Sequence, residues 1–296
     1  MKIIEKDLTK LATIQTPAIA KYFTKIDSIE ELQEVLQFIE DKDLNTIILG
    51  NGTNILFTQE SYKNTMFIKL GKGFDFFNLS VNTVEIGGSY SFMRAGKKLT
   101  GLGYKDFVYM TLIPGSLGGG VRQNAGTTNE GEIKDNFLSA TVYDLQEKRI
   151  KTLSKEKMEF SYRNSIIQKQ ANRYLVLSAE FYLGEKNDNL NSLVNFVKEK
   201  KNGKKEKEPS GYSFGSTFKS LLNDKAAWWY IDQIGFRGKS IGGAKFSEKH
   251  SNWIINFDSA KAEDIVALIA KAKIAVKEDF GVELQEEVEF IYEEKR

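Results

Sequence analysis

The stretch Ile113–Gly126 reads IPGSLGGGVRQNAG, with five glycines and one proline in fourteen residues. Few architectures have a use for such a segment. Glycine lets a backbone approach a neighbour closely and adopts positive φ without strain. Runs of backbone N–H groups in such loops form concave anion sites, suited to a diphosphate. A second glycine turn, Gly50-Asn51-Gly52-Thr53-Asn54, follows the apolar run Thr46-Ile47-Ile48-Leu49. Either segment by itself reads more readily as a plain turn than as a ligand site. Two of them, about sixty residues apart, point to one large dinucleotide held between two phosphate-type loops.

Composition removes several classes of function. A chain of 296 residues can bury a real core and divide into two or three domains. Apolar residues make up 41% and charged residues 28%, as in ordinary globular proteins, and the net charge of +2 gives no argument for nucleic acid. With no cysteine there are no disulfides, thiolate metal sites or cysteine nucleophiles. One histidine rules out a multi-histidine metal site, so no metal is expected. No apolar run reaches the roughly 18 residues of a membrane span. The start, Met1 to Lys6, lacks the apolar region of a signal peptide. The expectation is a cytoplasmic protein without membrane or nucleic-acid partners, and a monomer.

The periodicity predicts mixed α and β structure. Ser28-Ile29-Glu30-Glu31 has capping-box spacing, and Ile29, Leu32, Val35, Leu36 and Ile39 follow at helical intervals. Strands are predicted over 47–49, 65–70 and 83–86, and a helix over 91–99. Further strands fall at 138–145, 173–183, 252–257 and 284–292. A helix marked by Leu190, Leu193, Val194 and Val197 is predicted to end near Gly203 as its C-cap. Asp224 is read as opening a helix closed by Gly235, and 259–277 as an amphipathic helix. The lysine-rich segment 198–207 is the best boundary candidate. It reads either as a solvated helix end and linker or as a basic rim facing a nucleotide-sugar diphosphate.

Motifs spread along the whole chain then give a resemblance. The two glycine loops look like those of FAD-binding proteins of the vanillyl-alcohol-oxidase type. Tyr162-Arg163-Asn164-Ser165, Gly215-Ser216-Thr217-Phe218-Lys219, the run from Ile231-Asp232-Gln233 through Ser247, His250 and Asn252, and Leu284-Gln285-Glu286-Glu287-Val288 appear in the order found in the UDP-N-acetylenolpyruvoylglucosamine reductase family. The chain resembles that family, in its second type, which lacks a substrate-covering insertion. The resemblance implies an α+β protein: FAD-binding subdomains over 1–72 and 73–202, and a substrate domain over 203–296.

It also implies a chemistry. NADPH reduces noncovalently bound FAD, and the flavin then reduces the enolpyruvyl ether of UDP-N-acetylglucosamine to UDP-N-acetylmuramate. That step belongs to peptidoglycan precursor synthesis, hence to cell-wall biogenesis, cell shape and cell division. By position in the motifs, Gly50, Asn51, Gly52, Thr53, Asn54, Pro114, Gly115, Ser116, Gly118, Gly119, Asn124, Ala125 and Gly126 would hold FAD. Arg163 would stabilise the developing enolate, Ser216 would supply the proton, and Glu287 would assist Arg163 or relay a proton. Tyr162, Lys219 and Gln233 would touch the substrate, although Tyr162 also reads as a core aromatic and Gln233 as a helix-surface amide. His250 reads as a buried structural residue.

Two positions depart from the family pattern. Ser220-Leu221 stands where Asn-Pro is usual, and Glu289 where Arg is usual. Both bear on the substrate, not on the flavin. A related FAD oxidoreductase acting on another nucleotide-linked sugar, or a catalytically silent FAD-binding scaffold, are therefore the alternative readings.

Overall fold

The computed structural model describes residues 2–221 and 225–293. The chain forms two compact units. The first comprises Met1–Ile3, Phe23–Asn51 and Met66–Lys204; the second comprises Ile4–Tyr22, Gly52–Thr65 and Lys205–Arg296. The division passes through the first glycine turn, between Asn51 and Gly52.

In the first unit, Ser28 caps helix Ile29–Lys42 by accepting from the Glu31 N–H at 3.2 Å. The Glu31 carboxylate reaches back to the N–H of Asp27 at 2.6 Å, so the reciprocal bond of the capping box falls one residue earlier than Ser28. The helix buries Leu32, Val35, Leu36 and Ile39, the stripe that the 3.6-residue period predicts.

The larger sheet of this unit is antiparallel and has five strands. Their spatial order is Arg149–Ser154, Phe137–Asp144, Tyr174–Tyr182, Thr83–Gly87 and Phe77–Leu79. Two bulges shape it. Between Phe137–Asp144 and Tyr174–Tyr182 the register shifts at Leu138 on one strand and at Leu177 on the other. A bulge reverses which face the following residues occupy. Tyr174 and Val176 before Leu177, and Ala179 and Phe181 after it, consequently all enter one core with Val84, Ile86, Phe92, Leu99 and Tyr109. The opposite face is polar: Glu85, Ser139, Thr141, Ser178 and Glu180 help line an open cavity of about 210 Å³.

At the bottom of that core, helix Phe92–Gly101 packs on the 3₁₀ segment Lys105–Leu112, which leads directly into the second glycine loop. Ser91 caps the helix by accepting from the Arg94 N–H at 3.4 Å.

The helix expected to end at Gly203 instead runs Leu190–Lys207. A helix-interior glycine costs only about 1 kcal/mol relative to alanine, and distant partners hold the helix on either side of it. The amine of Lys200 lies 2.6 Å from the Glu130 carboxylate, and that of Lys204, one turn on, donates to the carbonyl of Leu112. The lysine segment is therefore helix, and two of its lysines are docked.

The second unit has a four-stranded antiparallel sheet in the order Tyr212–Ser216, Trp253–Asn256, Ala244–Phe246 and Ser240–Ile241. Helix Ala262–Phe280 buries Ile265, Leu268, Ile269, Ala272 and Val276, and stops where Gly281 takes φ 67°. Helix Ala227–Gln233 brings Trp229 and Tyr230 edge-on to Phe280, with centroids 5.6 and 5.4 Å apart. The start expected for that helix at Asp224 lies outside the described residues. The last strand is short, Glu289–Ile291, and pairs in parallel with Ile55–Phe57; Gln285 and Glu287 hydrogen-bond with Lys219 and Thr217, in the segment after Ser216, instead. Among the described residues no helix is long and apolar enough to cross a membrane.

Gly96 offers a test of this packing. It lies buried in helix Phe92–Gly101, and a Cβ there would fall 2.6 Å from the backbone nitrogen of Thr111. Alanine gains about 1 kcal/mol in helix propensity and loses roughly 1–3 kcal/mol to overpacking. Gly96→Ala should therefore lower stability by about 1 kcal/mol, read from the urea midpoint, despite its better helix former. A raised midpoint would show that the 3₁₀ segment is free to move away.

Candidate active site

The two glycine loops meet at one hydroxyl. A Cβ on Gly50 would lie 2.8 Å from Ser116 Oγ, and a Cβ on Gly119 would lie 3.3 Å from it. Ser116 is the N-cap of the short helix Leu117–Arg122, accepting from the Gly119 N–H at 3.4 Å. The loops are thus brought within a side chain's width, and glycine at position 50 is what makes that possible. Gly52 has φ 64°, and a Cβ there would overlap the carbonyl of Leu11 at 1.7 Å.

The other glycines of the second loop serve packing. The Gly118 N–H donates to the Gly88 carbonyl at 2.9 Å, and Leu117 donates to Tyr90 at the same distance. A Cβ on Gly120 would strike the Phe92 ring at 2.7 Å, and one on Gly126 would strike Glu132 Cβ at 2.2 Å. Pro114 and Gly115 lead in, with Gly115 at φ 142° and its carbonyl accepting from Phe92 at 3.0 Å.

Asn124 is fully buried at φ 46°. Its amide donates to the carbonyl of Ser161 at 3.0 Å, and its oxygen accepts from the Lys134 N–H at 2.9 Å. The neighbouring Ala125 carbonyl accepts from Ile133 at 3.0 Å. Asn124 thereby pins the turn that displays the candidate arginine. Ser161 and Asn164 exchange backbone bonds of 3.1 Å each, leaving Tyr162 and Arg163 at the tip of a two-residue turn. Arg163 has φ 51°, a strained state for a residue with a long side chain. Its guanidinium donates to the Gly126 carbonyl at 2.6 Å and lies 5.0 Å from the Tyr162 ring centre. Ser165 is buried and donates to the Arg122 carbonyl at 2.6 Å. The Tyr-Arg-Asn-Ser motif is therefore tied to the second glycine loop at Arg122, Asn124 and Gly126.

In the second unit, Ser216 ends strand Tyr212–Ser216 after Gly215 at φ 89°. Asn252 clamps the two residues beyond it. The Asn252 backbone carbonyl accepts from the Thr217 N–H at 2.7 Å, and its side-chain amide pairs with the Phe218 N–H and carbonyl at 3.0 and 2.9 Å. The Glu287 N–H donates to the Thr217 carbonyl at 2.9 Å, and the Lys219 N–H to the Gln285 carbonyl at 2.9 Å. The segments that carry Ser216 and Glu287 thus run side by side. Asn54, from the first glycine turn, donates its amide to the Glu287 carbonyl at 2.8 Å, and its own carbonyl accepts from Glu289 at 3.0 Å. Neighbouring carboxylates have other duties: Glu286 accepts from Lys273 and Glu283 from Lys277, each at 2.6 Å. Gln233 is the exposed last residue of its helix.

His250 is part-buried, and burial aided by Arg237 pushes its pKa below the ordinary value. Its Nδ1 accepts from the Asn252 N–H at 3.3 Å, and Ser247 Oγ accepts from the N–H groups of Lys249 and His250 at 3.0 and 3.3 Å. The Ser-x-x-His-x-Asn run is therefore a self-bonded turn that presents Asn252.

Sequence reasoning passed over Lys69. Its amine donates to the Gly50 carbonyl, and to Asn51 Oδ1 at 3.0 Å. Burial, reinforced by the charge of Lys25, pushes its pKa down to about 8. The signal was there: a lone lysine in the apolar run Met66-Phe67-Ile68-Lys69-Leu70.

The close approach of Gly50 to Ser116, with no room for a side chain at position 50, and the lack of a carboxylate in either loop are compatible with an FAD diphosphate. A family model described as FAD binding domain matches residues 20–153, so the class is an FAD-binding flavoprotein. A second, described as UDP-N-acetylenolpyruvoylglucosamine reductase, C-terminal domain, matches residues 206–291. UDP-N-acetylenolpyruvoylglucosamine reductase 1 of Bacillus anthracis is 31% identical over 98% of this chain and 94% of its own length. The corresponding reductase of Caldicellulosiruptor bescii is 34% identical over 97% of this chain and 89% of its own. The chain belongs to the UDP-N-acetylenolpyruvoylglucosamine reductase family. The crystal structure of the Thermus caldophilus reductase has the same fold, with a TM-score of 0.82 over 98% of this chain and 99% of that one, at 24% identity. The expected α+β class, with an FAD-binding portion followed by the family's C-terminal domain, is what the chain has.

The Asn252 clamp is testable on its own. Asn252→Ala strands a buried N–H and a buried carbonyl of Phe218. At about 1–3 kcal/mol for each of the two unsatisfied groups, the variant should lose roughly 2–6 kcal/mol of unfolding free energy in urea. A loss below about 0.5 kcal/mol would mean that water replaces the clamp.

Proposed function

We propose that Arg163, Ser216 and Glu287 carry the reduction of UDP-N-acetylglucosamine enolpyruvate to UDP-N-acetylmuramate in a cytoplasmic, monomeric, NADPH-oxidising flavoenzyme of peptidoglycan precursor synthesis. What supports the residue roles most directly is the bond from the Glu287 N–H to the Thr217 carbonyl, 2.9 Å long, which sets the segment of Glu287 beside that of Ser216. Asn54 ties the same segment to the first glycine turn.

Bound FAD would supply the hydride-transfer chemistry between NADPH and the terminal carbon of the enolpyruvyl group. The two glycine loops hold the cofactor without a covalent link, since neither contains Cys or His. Gly50 to Asn54, with Pro114, Gly115, Ser116, Gly118 and Gly119, form the diphosphate cradle. Asn124, Ala125 and Gly126 shape its far side and orient Arg163. Arg163 offsets the negative charge that develops on the substrate carboxylate and enolate. Ser216 donates the proton that completes the neighbouring carbon, and Glu287 steadies the enol form or relays that proton. Tyr162, Lys219 and Gln233 position the sugar nucleotide. The three-part division at 72/73 and 202/203 belongs to this reading, with the first two parts gripping the flavin.

Ser216→Ala separates the two half-reactions. In anaerobic stopped flow, NADPH should bleach the flavin at a near-normal rate. Reoxidation by the enolpyruvyl substrate should slow by a factor on the order of 10² or more, the size of a general-acid contribution. Equal slowing of both phases would assign Ser216 to the flavin cradle instead.

Glu289 decides between this substrate and another sugar nucleotide. It stands where the family usually has arginine, with its N–H on the Asn54 carbonyl. A carboxylate near an anionic substrate weakens its binding through like-charge repulsion. Glu289→Arg should lower KM for the enolpyruvyl sugar nucleotide and leave flavin reduction by NADPH unchanged. A higher KM would give the carboxylate a positive role and favour a different sugar nucleotide as substrate.

A further inference from the structure

We infer that Lys69 is the positioning residue of the flavin cradle: its ammonium group holds the Gly50–Asn51 turn in its binding shape and supplies the cradle's positive charge. The inference rests on reading Gly50 to Asn54 as the diphosphate loop. Three observations carry it. The Lys69 amine donates to the Gly50 carbonyl and to Asn51 Oδ1 at 3.0 Å, so both bonds end on the loop. Gly50 is the residue whose missing side chain lets the loop approach Ser116, so a shift of its carbonyl would close or open that approach. The side chain is part-buried, burial lowers the amine's pKa, and the ion pairs seen among the described residues do not include it. A charge so placed is uncompensated until an anion arrives, and a diphosphate brings the compensation.

The charges around Lys69 make the consequence readable as pH dependence. Its strand, Ser61–Leu70, lies between strands Ile19–Ile26 and Asn45–Leu49. The first brings Lys25, whose charge opposes that of Lys69. The second carries no titratable side chain, and neither does the turn Gly50 to Asn54. Asp27, beyond the end of the first strand, is engaged by the Gly73 N–H at 3.0 Å. In the free protein the amine loses its proton near pH 8. An adjacent anion favours the charged amine and raises its pKa. Binding therefore takes up a proton above about pH 8, and affinity falls as pH rises.

The experiment is the affinity of free FAD for the flavin-stripped full chain, read by quenching of flavin fluorescence from pH 7 to 9.5. It compares wild type, Lys69→Met, Lys69→Arg and Gly50→Val, with folding checked by circular dichroism. Wild-type affinity should fall on the order of tenfold between pH 7.5 and 9.5. Lys69→Met should bind at least about tenfold more weakly at pH 7 and show no pH dependence over this range. Lys69→Arg keeps its charge throughout and should bind well with a flat profile. Wild-type-like binding by Lys69→Met, or the same sloping profile in wild type and Lys69→Arg, would overturn the inference. If Lys69→Met does not fold, the Lys69→Arg profile still decides. Gly50→Val tests the underlying loop reading separately: undiminished FAD binding by that variant sinks the loop assignment, whereas lost binding there with unaltered Lys69 variants sinks only the role of Lys69.

Discussion

A contact too close for any side chain governs the first unit. Gly50 and Gly119 both face Ser116 Oγ, and each approaches it to within the distance at which a Cβ would collide or crowd. The capped helix Leu117–Arg122, its seat on Gly88 and Tyr90, and the amine of Lys69 beneath the first turn all act to keep that approach. The second unit depends on a comparable economy. One buried amide, Asn252, satisfies both backbone groups of Phe218 and so fixes the segment between Ser216 and Lys219.

Some of this was open to reading in the sequence because it is local. Ser28 and Ser91 cap helices in which apolar residues recur every three or four positions, and both helices form where that pattern places them. The loop glycines were legible because positive φ and close approach demand them. Of the motif residues, Arg163 stands on a strained turn and Ser216 follows a glycine of positive φ.

What stayed hidden depends on partners distant in the chain. Gly203 looks like a helix stop in a run of lysines, yet Glu130 and the Leu112 carbonyl, far upstream, hold the helix through it. Asn124 and Asn54 carry the signature of ligand-binding amides, but their side chains are spent on Ser161, Lys134 and Glu287. They shape a site by holding backbone. The predicted strand 284–292 alternates well enough, but only Glu289–Ile291 finds a partner strand, because residues 285–287 are bonded to Thr217 and Lys219. The register shifts at Leu138 and Leu177 leave no mark in composition at all.

The surplus residue Leu177 makes one strand keep two counts. Toward Phe137–Asp144 the strand has a residue too many; toward Thr83–Gly87 it has none to spare, since Ser178 faces Gly87 and the Leu177 carbonyl receives the N–H of Gly88 at 2.7 Å. Gly88 in turn seats Gly118. Deleting Leu177 would tidy the ladder on one edge and bring Val176, a residue turned toward the core, to the place where Gly88 needs its acceptor. The spacing between sheet and cradle is therefore set to the single residue, and length variation is tolerable in this family of contacts only where a strand answers to one neighbour and not to two.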